Sequence, residues 1–390
     1  SGTFMAVDWM RIHQQERLRP ATLPLALLSL LYGLGVRLRV RARLKGRRHV
    51  LPGFTVSIGN LTVGGTGKTP AVRMLAEWAA QRGYRVAVLS RGYGGRHGQK
   101  VLVVSDGSRI YAGAEEAGDE PCLLAQRLRE VPVVVSRSRY EAGRLAHRRF
   151  GSTFFILDDG FQHLTLRRDL DIVLLDALRP FGNGHLLPLG PLREPVGHLD
   201  RADAFVITRS ADKDSVANLA DTLGETCPGK PVYRGVHVPD EAVFPRMEGP
   251  CGVDFLKGLR VVAFAGIARP DAFLDTLEHL GTEVASFRGF RDHYRYTGAD
   301  IRDLVTEKKA LGARFLLTTE KDWVRMGGPA RQVPELGYLA IRFDLSSGRN
   351  AFFEMVRERA ERALAQGPAP NDRKGSDGGR GEDRKSGTVE

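Results

Sequence analysis

The sequence predicts an α/β fold: a mostly parallel sheet with helices on both faces, joined to a second, smaller α/β domain and preceded by an apolar helix. Three observations predict it. Seven short runs rich in Val, Ile, Leu and Phe alternate with helical stretches, a glycine-rich turn joins the first run to an amphipathic helix, and the pattern restarts after about residue 225. With 390 residues, 42% of them hydrophobic, the chain can bury the cores of two ordinary domains. The expected division is 1–48 for an N-terminal helix and its basic flank, 49–225 for the first domain, 226–366 for the second and 367–390 for a tail.

Residues 21–36 ("ATLPLALLSLLYGLGV") hold no charge and run straight into "RLRVRARLKGRRHV". A spanning helix needs about twenty apolar residues, and this run is shorter and is interrupted by Pro24 and two glycines. The pattern predicts a membrane-associated helix lying in one leaflet. Arg37, Arg39, Arg41, Arg43, Lys45, Arg47 and Arg48 then face anionic headgroups, each adding about 1 kcal/mol. A buried amphipathic helix is the alternative.

"FTVSI" at 54–58 is the first strand, and "GNLTVGGTGKTP" follows it. A phosphate loop aims successive backbone N–H groups at phosphate oxygens from a glycine-rich turn that opens a helix. Thr62, Val63, Gly64, Gly65, Thr66, Gly67, Lys68 and Thr69 form that candidate turn, with Lys68 for the β/γ-phosphates and Thr69 for Mg²⁺. Thr62 stands where the usual loop begins with glycine. A glycine-rich turn with a solvated lysine is the plain alternative, but strand, turn and helix in register favour a P-loop NTPase-like sheet.

The remaining strands of this half are expected at 85–90, 100–105, 131–136, 153–159, 170–176 and 203–210, with helices at 70–82, 120–130 and 139–150. "FFILDDGFQH" ends one strand in Asp158 and Asp159, the place where a P-loop sheet carries its magnesium carboxylate. One of the pair is expected to hold the ion. A turn cap is the alternative. "TTEKD" at 318–322 has the wrong spacing for guanine recognition, so ATP is the expected nucleotide.

The second half begins with a Pro/Gly-containing stretch, then strands at 259–267, 283–287 and 313–319, a helix opening at Pro270 and another at 299–311. From 367 the chain is almost free of apolar residues, as in disordered segments.

The formal net charge of +12 indicates an anionic partner. Nucleic acid is not expected, because no recognition helix is evident and the densest basic run abuts an apolar helix. No obligate protein partner is indicated. Cys122, Cys227 and Cys251 are odd in number, far apart and lack CxxC spacing, so neither a disulfide framework nor a zinc site is suggested.

Other stretches offer polar side chains after strands. "GDEP" places Asp119 at a helix start, where it is equally an N-cap or a base. "RDHYRY" offers His293 beside Asp292, and a His there is otherwise an ordinary structural residue. "GPLREP" holds Arg193 for phosphate charge and Glu194 for magnesium, or simply an exposed ion pair. "SRGYGG" contributes Arg91 and Tyr93 for sugar or phosphate, with packing the alternative for Tyr93, and "GNGH" contributes Asn183 and His185 more weakly.

These motifs, in order, resemble a known family. "SIGNLTVGGTGKTP", "SRGYGG", "GDEP", "LDDGFQH", "RDLDIVLLD", "GNGHLLPLGPLREP", "AGIARP", "RDHYRYT" and "TTEKD" are similar to those of tetraacyldisaccharide 4'-kinase, the lipid A 4'-kinase, over residues 22 to about 365. The resemblance implies a peripheral or monotopic enzyme on the cytoplasmic face of the inner membrane. It implies transfer of the ATP γ-phosphate to the 4'-hydroxyl of an acylated glucosamine disaccharide 1-phosphate, forming lipid IVA. It also implies that Asp119 is the catalytic base and that His293 pairs with it. Arg291 departs from the pattern, standing where proline is expected. A P-loop regulatory ATPase at the membrane, or a kinase of another anionic acceptor, is the competing reading.

Overall fold

The structure, a computed structural model, describes residues 22–65, 67–96, 98, 101–209, 213–247, 249–326 and 331–367. The expectations for residues 1–21, for Thr66 and for the tail beyond 367 lie outside the described residues.

Among the described residues one sheet holds thirteen strands. In chain order they are β1 (Phe54–Gly59), β2 (Val86–Ser90), β3 (Leu102–Ser105), β4 (Val133–Val135), β5 (Phe154–Asp158), β6 (Leu170–Asp176), β7 (Ala204–Thr208), β8 (Val232–Val243), β9 (Cys251–Gly252), β10 (Arg260–Ala265), β11 (Glu283–Gly289), β12 (Phe315–Thr319) and β13 (Leu336–Ser347). Across the sheet they run β11, β10, β12, β13, β8, β7, β6, β1, β5, β2, β4, β3, with β9 on β8. Only β3–β4, β8–β9 and β8–β13 pair antiparallel. β1 is buried along its whole length between β5 and β6, so the turn at its carboxyl end opens at the centre of the sheet's edge, where parallel sheets bind ligands.

Helices cover both faces: α1 (Leu23–Lys45), α2 (Lys68–Gln81), α3 (Ala114–Ala117), α4 (Asp119–Arg127), α5 (Arg139–Phe150), α6 (Lys213–Thr226), α7 (Pro270–His279), α8 (Gly298–Ala310), α9 (Glu320–Arg325) and α10 (Arg349–Ala365). α2 begins two residues before the expected start, which puts Pro70 in the first turn, where its missing N–H breaks no helical bond. α5 spans 139–150 as expected, because the Ser138 side chain accepts from the Glu141 N–H and Gly151 ends the helix at φ 65°.

The long strands β8 and β13 were not expected. Gly235 and Pro239 read as loop residues, yet a Cβ at Gly235 would lie 2.2 Å from the Phe343 ring, so glycine is what lets that ring cross the strand. Pro239 pairs with Ile341 at a register shift, where a residue without an N–H is tolerated. β8 joins β7 through residues 232–234 and β13 along most of its length, so the sheet is continuous across the 225/226 division. The C-terminal α10 returns to the first core, stacking Phe353 on Trp78 at 4.8 Å and burying Phe352, Val356 and Ala360 there.

α1 extends past residue 36 through the basic run to Lys45. It is long and apolar enough, by length and composition, to cross a membrane. One face docks: Ser29, Gly33, Val36 and Val40, spaced one helical turn apart, are buried. Ser29 Oγ donates to the Leu186 carbonyl at 2.8 Å, and Val36 and Val40 pack on Leu164. Leu23, Leu27, Leu28, Leu30, Leu31, Leu34 and Leu38 face outward.

Candidate active site

A cleft of ≈ 1080 Å³ lies over the carboxyl ends of the central strands and is lined from both halves of the sheet. Its floor is the glycine-rich turn. Thr62 bridges to Leu192, and the Val63 N–H donates to the Pro191 carbonyl at 2.8 Å. Among the described residues of the turn the left-handed positions are Gly64 (φ 115°) and Gly67 (φ 84°), and Thr62 is not one of them, so its backbone does not call for glycine. Lys68, buried at the first turn of α2, donates to Asn60 Oδ1 at 3.1 Å and stands 3.6 Å from Asp159 Oδ1. Thr69 is buried beside it. The turn is braced by two residues not anticipated. Arg209, which pairs with Asp176, donates to the Gly65 carbonyl at 2.8 Å, and His237 of β8 closes on Gly67 so tightly that a Cβ there would lie 2.2 Å from its Nε2. Burial, aided by Arg209, pushes the His237 imidazole down to about 4, so it is neutral beside the turn.

Asp158 and Asp159 end β5 beside this lysine. Asp158 is fully buried and accepts from Ser90 Oγ at 3.1 Å, while its Oδ1 has no hydrogen-bond partner. Burial first, then the charges of Glu120 and Asp159, push its carboxyl up to about 7 against the pull of Lys68 and Ser90. Asp159 turns back at φ 52° and accepts from Arg193 at 2.7 Å. Burial alone would raise its pKa, but Lys68, Arg193 and Arg139 outweigh it and hold it below the usual range. Arg139, 2% exposed, donates to the Asp158 carbonyl at 3.3 Å. Burial, partly offset by the two aspartates, lowers its guanidinium to about 10.

Among the described residues no three His, Cys, Asp or Glu side chains form a metal cage. The Oδ1 atoms of Asp158 and Asp159, buried without a hydrogen bond at the end of β5, suit instead a cation that takes one or two carboxylates and completes its shell with phosphate oxygens and water.

On the opposite wall, Gly118 (φ 92°) turns the chain so that Asp119 starts α4, and a Cβ at Gly118 would strike the Tyr93 carbonyl at 2.4 Å. His293, itself at φ 59°, reaches across from the loop after β11 to place Nδ1 3.2 Å from Asp119 Oδ2. Arg325, absent from the expected site, donates through Nε to the same Oδ2 at 2.5 Å. Burial would raise the Asp119 pKa, but hydrogen bonds from His293 and Arg325 together with their charge hold it below the usual range.

Arg91 and Tyr93 line the cleft as a pair: the guanidinium donates to the phenol oxygen at 2.6 Å, and Tyr93 is 58% exposed, not packed. Two expected residues lie elsewhere. Asn183 donates to the Leu189 carbonyl at 3.1 Å and accepts from the His185 N–H, holding its own loop rather than lining the cleft. Glu194 is buried behind Arg193, with Oε2 2.7 Å from His198 and 2.9 Å from Arg201, and its Oε1 has no partner.

A buried lysine at the mouth of β1, facing carboxylates at the mouth of the adjacent β5, places the chain in the P-loop nucleotide-binding class, on the fold expected from the sequence. The model of the tetraacyldisaccharide-1-P 4'-kinase family matches residues 21–361, and the chain belongs to that family. A tetraacyldisaccharide 4'-kinase of Syntrophus aciditrophicus is 42% identical over 351 residues, covering 87% of this chain and 93% of the relative. One from Geobacter metallireducens is 45% identical over 307 residues, covering 78% and 88%. The crystal structure of LpxK from Aquifex aeolicus, described as an apo form in complex with ATP, matches with a TM-score of 0.70 and 32% identity, covering 88% of this chain and 100% of that one.

Proposed function

We propose that this kinase of lipid A biosynthesis transfers the γ-phosphate of ATP to the 4'-hydroxyl of tetraacyldisaccharide 1-phosphate, giving lipid IVA and ADP. The observation that carries the mechanism is the cleft that holds the Lys68 turn on one wall and the Asp119–His293 pair on the other. The glycine-rich turn cradles the phosphates, and Lys68 and Arg193 counter the charge that spreads over the transferring group. Thr69 and Asp158 or Asp159 would hold Mg²⁺, which would supply positive charge against the phosphates. Asp119 accepts the proton of the sugar hydroxyl as its oxygen bonds to phosphorus, the bond from the γ-phosphorus to the bridging oxygen breaks, and ADP leaves. Arg91 and Tyr93 are placed to meet the sugar or its phosphate.

The lobe bearing His293, drawn from within 226–366, closes over the site about β8 and β13, which would assemble the base only when the acceptor is enclosed. The outward leucines of α1 enter the cytoplasmic face of the inner membrane, with the exposed Arg37, Arg39, Arg41, Arg43 and Lys45 against anionic lipid. Tyr32 of the same helix donates to the Arg193 carbonyl at 3.0 Å, which ties the anchor to the cleft and suits an acceptor that arrives from the membrane.

The test is incubation with Mg-ATP and tetraacyldisaccharide 1-phosphate in mixed micelles, with the lipid products resolved by mass. The expected product gains one phosphate at the 4'-position. ATP hydrolysis with unchanged lipid would overturn the reading and favour a membrane-bound regulatory ATPase.

A further inference from the structure

The two partners of the base pair are held unequally by packing, with the Asp119 side chain 21% exposed and His293 far more open. His293 is 60% exposed on a left-handed backbone, and Asp119 sits at the first position of a short helix. Arg325, by contrast, is 3% exposed at the end of α9 and fixed on every side. Its NH1 donates to the Gly266 carbonyl at 2.6 Å and to Asp322 Oδ1 at 3.2 Å. Asp322 is in turn fully buried, accepting from the Gly266 N–H at 3.0 Å and from Thr319 Oγ1 at 2.6 Å. From this anchor, Nε donates to Asp119 Oδ2 at 2.5 Å and NH2 points at His293 Nδ1 at 3.2 Å.

We propose that Arg325 is a positioning residue for phosphoryl transfer, one that holds the Asp119 carboxylate and the His293 imidazole in register across the cleft. The inference rests on Asp119 being the base. A guanidinium is a permanent donor and cannot accept. Nδ1 of His293 lies 3.2 Å from both Arg325 NH2 and Asp119 Oδ2: carrying its proton it donates to the carboxylate, and without it it accepts from the guanidinium. Arg325 Nε donates to Asp119 in either tautomer, so the carboxylate keeps a fixed donor whichever way the imidazole is protonated. Both contacts to Asp119 fall on Oδ2, which leaves Oδ1 for the acceptor hydroxyl.

Arg325 is not needed to keep the two helices together. α4 and α9 are also joined by the Arg127–Glu320 pair and by Lys321 to Glu120 at 3.4 Å. Its loss should therefore leave the helices joined and strike the chemistry, while the buried Asp322 loses its ion-pair partner, a stability cost read separately from turnover.

The test compares Arg325→Ala, Arg325→Lys and Asp119→Asn in the mixed-micelle transfer assay, with ATP-induced stabilisation as the check on folding. Arg325→Ala is expected to lower kcat about 10-fold or more while KM for ATP stays within about twofold. Millimolar guanidinium, or the lysine of Arg325→Lys, restores part of the loss. Wild-type turnover in Arg325→Ala overturns the proposal, as does a loss that neither guanidinium nor lysine relieves, which would mark a structural role. Retained activity in Asp119→Asn instead overturns the assignment of the base, and with it the reading on which this inference rests.

Discussion

His293 Nδ1 lies 3.2 Å from Asp119 Oδ2, a contact between residues 174 positions apart that joins the loop after β11 to the start of α4. If the two act as one unit, their losses do not add. Asp119→Ala and His293→Ala are each expected to lower kcat by about 10² or more, and the double variant should be little worse than the poorer single one. Steady-state turnover of the three variants checks this. Multiplicative losses would mean that the two residues act separately.

Gly67 has no room for a side chain. Alanine there is strained by about 1–2 kcal/mol in a left-handed conformation and collides with the His237 ring. Gly67→Ala should weaken ATP binding about tenfold or more, because the turn must shift away from the phosphates. His237→Ala placed in the same chain should recover part of that affinity. Calorimetric titration with ATP reads both effects, and unchanged affinity in Gly67→Ala would remove the turn from nucleotide binding.

Asp158 gives a stability signature of its own. Its carboxyl is raised to about 7 in the fold, against about 3.9 in an unfolded chain. The folded state therefore binds the proton more tightly, so the stability linked to this group is full below about pH 4 and is lost as pH rises to about 7. Without nucleotide or metal, Asp158→Asn should melt a few degrees above the wild type at pH 8, with the gap closing toward pH 4, while transfer activity is lost. Differential scanning fluorimetry across pH checks it. A wild type at least as stable as the variant at pH 8 would show that the carboxylate is not held against its own preference.

The outward face of α1 can be altered without touching the cleft. Leu30→Glu with Leu34→Glu exposes charge on the unpacked side of the helix, and each buried leucine given up costs about 2 kcal/mol of membrane affinity. Partitioning into anionic vesicles should fall sharply while ATP binding stays as in the wild type. Unchanged partitioning would sink the anchor.

Much of this was legible because it is local. Strand, glycine-rich turn and helix in register announced the phosphate loop, and two acids at a strand end announced the carboxylates beside it. The rest depends on contacts between distant residues. Arg325 reads as an ordinary charge three residues after Asp322, and its bond to Asp119 spans 206 positions. His237 sits in β8, a strand disguised by Gly235 and Pro239, and only folding brings it against Gly67. Asn183 and Glu194 show the converse: residue types suited to ligands, in loops that use them to hold themselves together. Thr62 looked anomalous against a pattern of letters, yet the backbone asks for glycine only at 64 and 67 among the described residues of the turn.

The most direct measurement is the ratio of ADP released to phosphorylated lipid formed, with and without tetraacyldisaccharide 1-phosphate, in the wild type, Lys68→Ala and Asp119→Asn. The account predicts lipid-dependent ADP release in a one-to-one ratio with 4'-phosphorylated product for the wild type, and loss of both in either variant. ADP release that ignores the lipid, or transfer that survives in Lys68→Ala, would contradict it.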